Sequence, residues 1–360
     1  MESRRLLAGV VAVLTLAVMP ACTKEDIEKI VATCPSNPAD SGGINWTPDI
    51  GRPVFWGVQD LTVAAGAPRD MQIFYPTVEG STNAPPILKV CVTRWPVVLF
   101  LHGDPPAGVS NVGYHKKWFR FAISLARSGF VVIVPSHDAN IPSDPDVTKA
   151  MADLNFVRNQ WSNSAWVAKQ PELTAVAGHS FGALTAAKVA GSHPEFGAFV
   201  SLGGGFSELP DPRSTFEALR MPSFFMWAKG LGFEDLDAGT AGGQWNPLQI
   251  NKYAAVYEGK HFDYLRPQDS GTAERGPCDQ IAGASGDLAA LFIARNIRVP
   301  LSPIQVSVDL KPPQVQLTQQ QEFFAGSHLE AVQAIASRPA CKMDMRWKVD
   351  GVTGNRKVGS

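Results

Sequence analysis

A serine lies between two glycines at the point where an apolar run meets a helical pattern. The five residues are Gly178-His179-Ser180-Phe181-Gly182, preceded by the apolar run LTAVAGHS and followed by the helical pattern FGALTAAKVAGSHP. A strand followed at once by a helix is the context that a G-x-S-x-G nucleophile elbow requires, because glycines permit the tight turn that exposes the hydroxyl. The pattern therefore predicts that Ser180 is a catalytic nucleophile.

The base that would accept the Ser180 proton is expected to be His261. A serine hydroxyl is a weak nucleophile until a neighbouring base takes its proton, and the chain has seven histidines. In sheets that carry this elbow the acid and then the histidine follow the serine along the chain. His261, in VYEGKHFDYL, follows the last predicted strand, whereas the alternative His328 lies in the tail without a strand before it.

The acidic partner of His261 is expected in the loop LGFEDLDAG, which follows the apolar run MPSFFMWAKG. A carboxylate there would fix the tautomer of the imidazole and stabilise its protonated form. The loop offers Glu234, Asp235 and Asp237. We predict Asp235, because it ends the glycine-spaced loop, with Asp237 as the next candidate and Glu234 as a third; those not used would be solvated loop charges.

Two backbone N–H groups are needed to stabilise an oxyanion. One is expected from Phe181, the residue after the nucleophile, and the other from Asp104, in the loop that follows the apolar run WPVVLFLHG. Gly103 would give the loop room and His102 would brace it. The Asp104 carboxylate would oppose a nearby oxyanion unless its side chain turns away.

Apolar runs and helical patterns alternate along the chain. Strands are predicted at 95–103, 130–138, 173–180, 197–205, 221–230 and 251–261, with strand-like pattern from Val54 onward, and helices at 118–129, 146–168, 181–194 and 286–297. Continuous apolar strands that alternate with helices predict an α/β fold, with a mostly parallel central sheet and helices on both faces.

The alternation of predicted strands and helices sets the expected domain boundaries. Residues 51–300 are predicted to form one catalytic domain, and residues 301–360 a C-terminal appendage packed on it. The appendage contains one alternating stretch, Ile304-Val306-Val308-Leu310 in alternate positions, and a helical pattern at 327–337.

The first residues resemble an export signal. Arg4 and Arg5 precede an apolar stretch from Leu6 to Met19, which is too short for a bilayer span but suits a secretory signal. The stretch ends in Met19-Pro20-Ala21-Cys22, which resembles the lipobox of bacterial lipoproteins, although Met and Pro are unusual before the cysteine. Residues 1–21 are therefore predicted to be a signal peptide and 22–50 a tether, with a lipidated Cys22 anchoring an exported protein to the cell envelope; plain secretion is the alternative.

Four cysteines remain after Cys22, and an even number in an exported chain indicates disulfides. Three pairings can be drawn, and we expect Cys34–Cys91 and Cys278–Cys341. These bridges would tie the N-terminal arm and the C-terminal tail to the body.

Charge and motifs exclude several classes of partner. Formal net charge is −1, without a run of like charges, which disfavours nucleic acid as a partner. No HExxH, CxxC, GxxxxGK or GxGxxG motif is present, so no metal or cofactor is predicted. The expected partner is a small-molecule or polymeric ester.

Several segments together resemble a known family. FYPTVEG, PVVLFLHGD, SLARSGFVVIVPSHDAN, AGHSFGA and YEGKHFDYL look like the α/β-hydrolase superfamily, and their order is similar to the branch of cutinase-like polyester hydrolases, chlorophyllases and platelet-activating-factor acetylhydrolases. Ala183, where many relatives have glycine, and the long acid loop depart from that branch. The resemblance implies an α/β-hydrolase fold and ester hydrolysis through an acyl-serine.

Two other functions are compatible with the same residues. One is an acyltransferase, thioesterase or amidase that uses the same triad. The other is a non-catalytic lipoprotein that keeps the fold as a scaffold.

Overall fold

The computed structural model describes most of the chain between residues 55 and 358. The described residues are 55–77, 80–87, 94–137, 142–209, 211–231, 250–278, 281–297, 342–349 and 352–358, together with residues 234, 236, 245 and 248. They form an α/β structure with one mostly parallel sheet.

Ten strands make up the sheet within these residues. They are β1 (Phe55–Leu61), β2 (Met71–Thr77), β3 (Val97–Leu101), β4 (Val131–Pro135), β5 (Thr174–His179), β6 (Ala198–Leu202), β7 (Ser223–Ala228), β8 (Lys252–Tyr257), β9 (Met343–Val349) and β10 (Val352–Val358). Their order across the sheet is β1-β2-β4-β3-β5-β6-β7-β8-β9-β10. The six central strands from β4 to β8 run parallel, and the two strands at each end join antiparallel.

Five helices are described. They are α1 (Phe119–Arg127), α2 (Asp144–Asn159), α3 (Phe181–Ser192), α4 (Pro212–Ala218) and α5 (Ile281–Asn296). Helix α1 packs against α5, while α3 packs against α2 and α4. Every residue of strands β3 to β8 is buried. Since successive side chains of a strand point to opposite faces, both faces of the central sheet are covered.

Two helices have boundaries that differ from the sequence-based expectation. The helix expected at 146–168 ends at Asn159, and a separate single turn follows at Ser164–Trp166. Helix α2 begins at Asp144, before the expected start. Ser143 and Asp146 form a capping box there, in which Asp146 Oδ2 accepts the Ser143 N–H at 2.9 Å. The helix expected at 286–297 begins at Ile281.

The end of the chain contains two strands that the sequence analysis did not predict. Strand β9 pairs antiparallel with β8, and β10 pairs with β9, so residues 343–349 and 352–358 extend the sheet. The alternating stretch at 304–310 and the helical pattern at 327–337 lie outside the described residues.

The segments predicted to direct export, and most of the cysteines, also lie outside the described residues. These are the signal peptide 1–21, the tether 22–50, the lipidated Cys22, and Cys34, Cys91 and Cys341. Cys278 is buried, and Cys341, its expected partner, lies outside the described residues, so both pairings stay predictions. Among the described residues, every helix is too short or too polar to span a bilayer.

Candidate active site

The turn between β5 and α3 holds Ser180 in a conformation that few side chains adopt. Ser180 has φ 54° and ψ −129°, immediately before the first residue of α3. A β-carbon on Gly178 would lie 2.3 Å from the Gly182 carbonyl oxygen, and one on Gly182 would lie 2.2 Å from that of Leu101. Both glycines are therefore required by close backbone approach, as the elbow pattern predicts.

Ser180 and His261 meet at the carboxyl edge of the sheet. The Ser180 hydroxyl lies 2.9 Å from His261 Nε2, although the two residues are 81 positions apart. His261 lies in the loop after β8, and its side chain is 14% exposed, whereas Ser180 is half-buried. The geometry allows Oγ–H to donate to Nε2, which is the contact that a nucleophile and its base require.

Glu234 makes the contact that the sequence analysis expected of Asp235. Its Oε1 accepts a hydrogen bond from His261 Nδ1–H, while its Oε2 accepts the Ala228 N–H at 2.7 Å. The Glu234 side chain is 0% exposed, so it is not the solvated loop charge that the sequence suggested. Asp235 and Asp237 lie outside the described residues, and the acid in this geometry is Glu234.

Glu234 reaches His261 because two neighbouring features shape its surroundings. The N–H of Glu234 donates to the Leu231 carbonyl oxygen at 2.9 Å, which turns the chain just after β7. Gly203, after β6, has φ 54°, and a β-carbon there would lie 3.0 Å from Glu234 Oε1. A side chain at Gly203 would thus crowd the carboxylate. The contact with Gly203 involves a residue outside the acid loop and cannot be read from the loop alone.

Lys252, in β8, anchors the rest of the acid loop. Its buried ammonium donates to the Trp245 carbonyl oxygen and, at 3.0 Å, to that of Leu248. The Trp245 N–H donates in turn to the Leu236 carbonyl oxygen at 3.1 Å. These bonds tie Leu236, Trp245 and Leu248 to the sheet.

The loop that carries His261 is braced by Asp263. Its buried carboxylate accepts the N–H of Lys260 at 2.7 Å and that of Gly276 at 3.0 Å. Tyr257 donates its hydroxyl to the Lys260 carbonyl oxygen at 2.9 Å. The N–H and the carbonyl oxygen of Lys260, the residue directly before His261, therefore both have side-chain hydrogen-bond partners.

The predicted oxyanion loop lies against the nucleophile. A β-carbon on Gly103 would be 2.4 Å from Ser180 Cβ and 3.1 Å from Ser180 Oγ. Neither Asp104 nor Phe181 donates its N–H in a backbone–backbone hydrogen bond among the described residues. Both donors that the sequence analysis named thus belong to segments in contact with Ser180. Burial raises the pKa of the Asp104 carboxyl above its ordinary value.

His102 braces this loop as a neutral ring. Its Nδ1–H donates to the Gly103 carbonyl oxygen at 2.8 Å, and its Nε2 accepts the His137 N–H at 3.1 Å. The accepting nitrogen cannot be protonated without losing that bond. In agreement, burial lowers the pKa of His102 to about 3.

His179 lies beneath the imidazole of His261, a contact that the sequence analysis did not foresee. His179 Nε2 is 3.0 Å from the His261 carbonyl oxygen, and the two ring centroids are 4.6 Å apart with 34° between the planes. The one feature of the sequence that draws attention to His179 is its position directly before Ser180.

The predicted residues divide into those that the fold brings together and those that it does not describe. Ser180, His261, Phe181 and the Gly103–Asp104 loop meet at one site, whereas His328 lies outside the described residues. No group of three or more histidine, cysteine, aspartate or glutamate side chains suited to a metal ion occurs among the described residues. No family model matches the chain, and no curated protein is detectably similar to it.

Proposed function

We propose that this chain is an exported serine hydrolase that cleaves carboxylic esters through an acyl-serine intermediate, on an α/β-hydrolase fold. The observation that carries the proposal is the continuous hydrogen-bonded series from Ser180 through His261 to the buried Glu234. A nucleophile, a base and an orienting carboxylate in this arrangement define the roles of a serine-hydrolase triad.

In the acylation step Ser180 Oγ attacks the ester carbonyl carbon while its proton passes to His261 Nε2. The Nδ1 hydrogen stays on the ring and donates to Glu234, whose negative charge stabilises the imidazolium. The carbonyl oxygen gains a negative charge, which the N–H groups of Phe181 and Asp104 would stabilise. When the tetrahedral species collapses, the ester C–O bond breaks and Nε2–H protonates the leaving alcohol.

Deacylation repeats the sequence with water. His261 Nε2 takes a proton from the water as its oxygen attacks the acyl carbon, and then returns that proton to Ser180 Oγ as the acyl–serine bond breaks. The products are a carboxylic acid and the free enzyme. One histidine can serve both steps because it is neutral before each attack and protonated before each departure.

The α/β-hydrolase fold is supported by local geometry as well as by the mostly parallel sheet. The nucleophile stands at a strained strand-to-helix turn at the carboxyl end of β5, and the acid and base follow it in chain order after β7 and β8. That order is the one expected of the fold.

Export and lipidation at Cys22 are part of the proposal and rest on the sequence of residues 1–22. Metabolic labelling with a radioactive fatty acid is expected to mark the wild-type protein in a bacterial host and not a Cys22→Ala variant. Secretion of an unlabelled mature protein would instead indicate a plain signal peptide.

The enzymatic proposal is tested with a fluorophosphonate, which phosphonylates activated serines, and with short p-nitrophenyl esters. Labelling is expected in the wild type and absent in Ser180→Ala, while turnover falls in Ser180→Ala, His261→Ala and Glu234→Gln. Ser192→Ala is the matched control, because Ser192 is an exposed serine at the far end of the same helix.

The proposal fails if the folded wild type shows neither labelling nor turnover, which would favour a non-catalytic scaffold. If the wild type does turn over esters, product analysis with competing alcohol and amine acceptors separates hydrolysis from acyl transfer. Predominant transfer to an acceptor at low concentration would replace the hydrolase by an acyltransferase.

A further inference from the structure

We infer that His179 is a positioning residue for His261, acting through a hydrogen bond to the His261 main chain and through its ring, which packs at a tilt against the His261 imidazole. The inference rests on the proposed function and adds a residue to it. Its basis is the pair of contacts between the two histidines, at 3.0 Å to the carbonyl oxygen and 4.6 Å between rings.

The hydrogen bond fixes the tautomer of His179. A carbonyl oxygen only accepts, so Nε2 must carry the hydrogen and donate it to His261. His179 Nδ1 is buried and has no hydrogen-bond partner in the described part of the chain. The ring is therefore the neutral Nε2–H form.

The surroundings of His179 keep it neutral. Its side chain is fully buried, and its ring lies against those of Trp118 at 4.6 Å and Tyr264 at 5.3 Å as well as that of His261. Burial holds the pKa of His179 well below its ordinary value, and the nearby His261 and His102 act in the same direction. A neutral ring beneath His261 matters because a second positive charge there would oppose the imidazolium that forms during catalysis.

The two contacts act on different parts of His261. The donor holds the carbonyl group of His261 and thus the position of its Cα. The ring of His179 packs against the imidazole and limits rotation of its plane. Together with Glu234 at Nδ1, they leave Nε2 directed at Ser180. Small misplacements of a base are costly, since a shift of about 1 Å can lower a rate by roughly 10²-fold.

Amide substitutions of different reach separate the donor from mere space filling. In His179→Gln the side-chain nitrogen can occupy the place of Nε2, whereas in His179→Asn it stops near the place of Nδ1 and cannot reach the His261 carbonyl. His179→Phe keeps a ring and removes the donor. His115→Phe is the matched control, because His115 is also a buried histidine, and neither of its ring nitrogens has a hydrogen-bond partner among the described residues.

The kinetic readout is kcat and KM for a short p-nitrophenyl ester. We expect kcat to fall about tenfold in His179→Phe and His179→Asn and to stay within about threefold of wild type in His179→Gln, with KM little changed in all three. His115→Phe is expected to keep the wild-type kcat. Wild-type kcat in folded His179→Phe, or equal losses in the Gln and Asn variants, would overturn the inference.

A second readout needs no substrate. The His261 Nδ1 proton that is bonded to Glu234 is expected to give a far-downfield proton NMR signal, which would be assigned by its loss in Glu234→Gln. This signal is expected to persist in His179→Gln and His115→Phe and to broaden or vanish in His179→Phe and His179→Asn. Its persistence in all folded variants would contradict a positioning role.

The two readouts distinguish failure of this inference from failure of the proposed function. If the wild type neither reacts with the fluorophosphonate nor turns over esters, the hydrolase proposal fails, while the NMR comparison still decides whether His179 positions His261. If His179→Phe does not fold, the Gln and Asn pair decides the question by itself.

Discussion

Gly103 and Ser180 approach so closely that no side chain fits between them. A β-carbon on Gly103 would lie 2.4 Å from Ser180 Cβ, 2.8 Å from the His179 carbonyl oxygen and 3.1 Å from Ser180 Oγ. Two of these contacts are far inside van der Waals distance and involve the main chain or Cβ, which cannot turn aside. The loop of the proposed oxyanion donor is therefore fitted directly against the nucleophile.

Gly103→Ala is expected to separate the nucleophile from the oxyanion loop. Because either Ser180 or the Asp104 N–H must shift, kcat/KM for an ester should fall on the order of 10²-fold. Steady-state kinetics measures the loss, and circular dichroism checks that the variant is folded.

Gly283→Ala is the control for Gly103→Ala. Gly283 lies within α5, and apart from the backbone of its own helix no heavy atom lies within 4 Å of the place that a β-carbon would take, so alanine fits there without displacement. This variant should keep wild-type kinetics and gain up to about 1 kcal/mol in the free energy of unfolding. Equal kinetics in the two variants would show that the oxyanion loop does not act at Ser180.

Glu234 is expected to be the acid whose substitution matters. Glu234→Gln should lower kcat on the order of 10³–10⁴-fold, because a neutral amide cannot stabilise the imidazolium or enforce the Nδ1–H tautomer. Glu234→Asp should also lose activity, since a side chain shorter by one methylene cannot reach both His261 and the Ala228 N–H.

Asp235→Asn is the comparison that decides between neighbouring carboxylates. With Glu234 in place, Asp235→Asn should leave kcat unchanged in the same assay. A loss in Asp235→Asn together with normal turnover in Glu234→Gln would return the role to Asp235, the residue that the loop pattern favours.

The same loop illustrates where sequence reasoning stops. The contact between Ser180 and His261 could be predicted because the elbow has a local signature and chain order places the histidine after β8. Three carboxylates lie within four residues, and the sequence does not show which of them the loop turns inward. That choice depends on the turn at Leu231 within the loop, and on Gly203 and the Ala228 N–H, which lie outside it.

The fold, too, was predicted only in part: the central strands were recognised, whereas β9 and β10 were not. Strands such as Val97–Leu101 and Val131–Pro135 are continuous apolar runs, so burial on both faces could be read from composition. Strands β9 and β10 carry charged residues and were assigned to an appendage. The Asp350-Gly351 pair between two short alternating runs is the signal for a hairpin that would have found them.

The strained turn at Ser180 has a consequence for stability. A non-glycine residue at φ 54° and ψ −129° costs about 1–3 kcal/mol. Glycine relieves this strain, although its greater freedom in the unfolded chain offsets roughly 0.5–1 kcal/mol. Ser180→Gly should therefore be about 1 kcal/mol more stable to denaturant than Ser180→Ala, both being inactive.

Ser192 provides the opposite expectation on the same helix. It lies in the last turn of α3, and its φ is not positive, so Ser192→Gly should be less stable than Ser192→Ala. The prediction is the reversal of sign between the two positions. The same order at both positions in urea unfolding would contradict the claim that the elbow is strained.

Buried histidines should make the protein labile to acid. Burial lowers the pKa of His102 from 6.5 to about 3, and that of His115 to about 4. Between these values and 6.5 the unfolded chain binds protons that the native state does not. The free energy of unfolding therefore falls as pH drops below 6.5, by up to about 1.4 kcal/mol per pH unit for each histidine.

The titration of Asp153 changes the free energy of unfolding in the opposite direction as pH falls. It therefore tests the sign of the effect of the histidines. Burial raises its pKa from 3.8 to about 6, so between these values the native state binds a proton that the unfolded chain releases, and this group favours folding as pH falls. His115→Phe should make the loss of stability between pH about 6.5 and about 4 less steep, whereas Asp153→Asn should make it steeper between about 6 and about 4. Urea unfolding at a series of pH values measures both slopes. Slopes that change in the same direction in the two variants would show that at least one of these groups does not titrate as its burial implies.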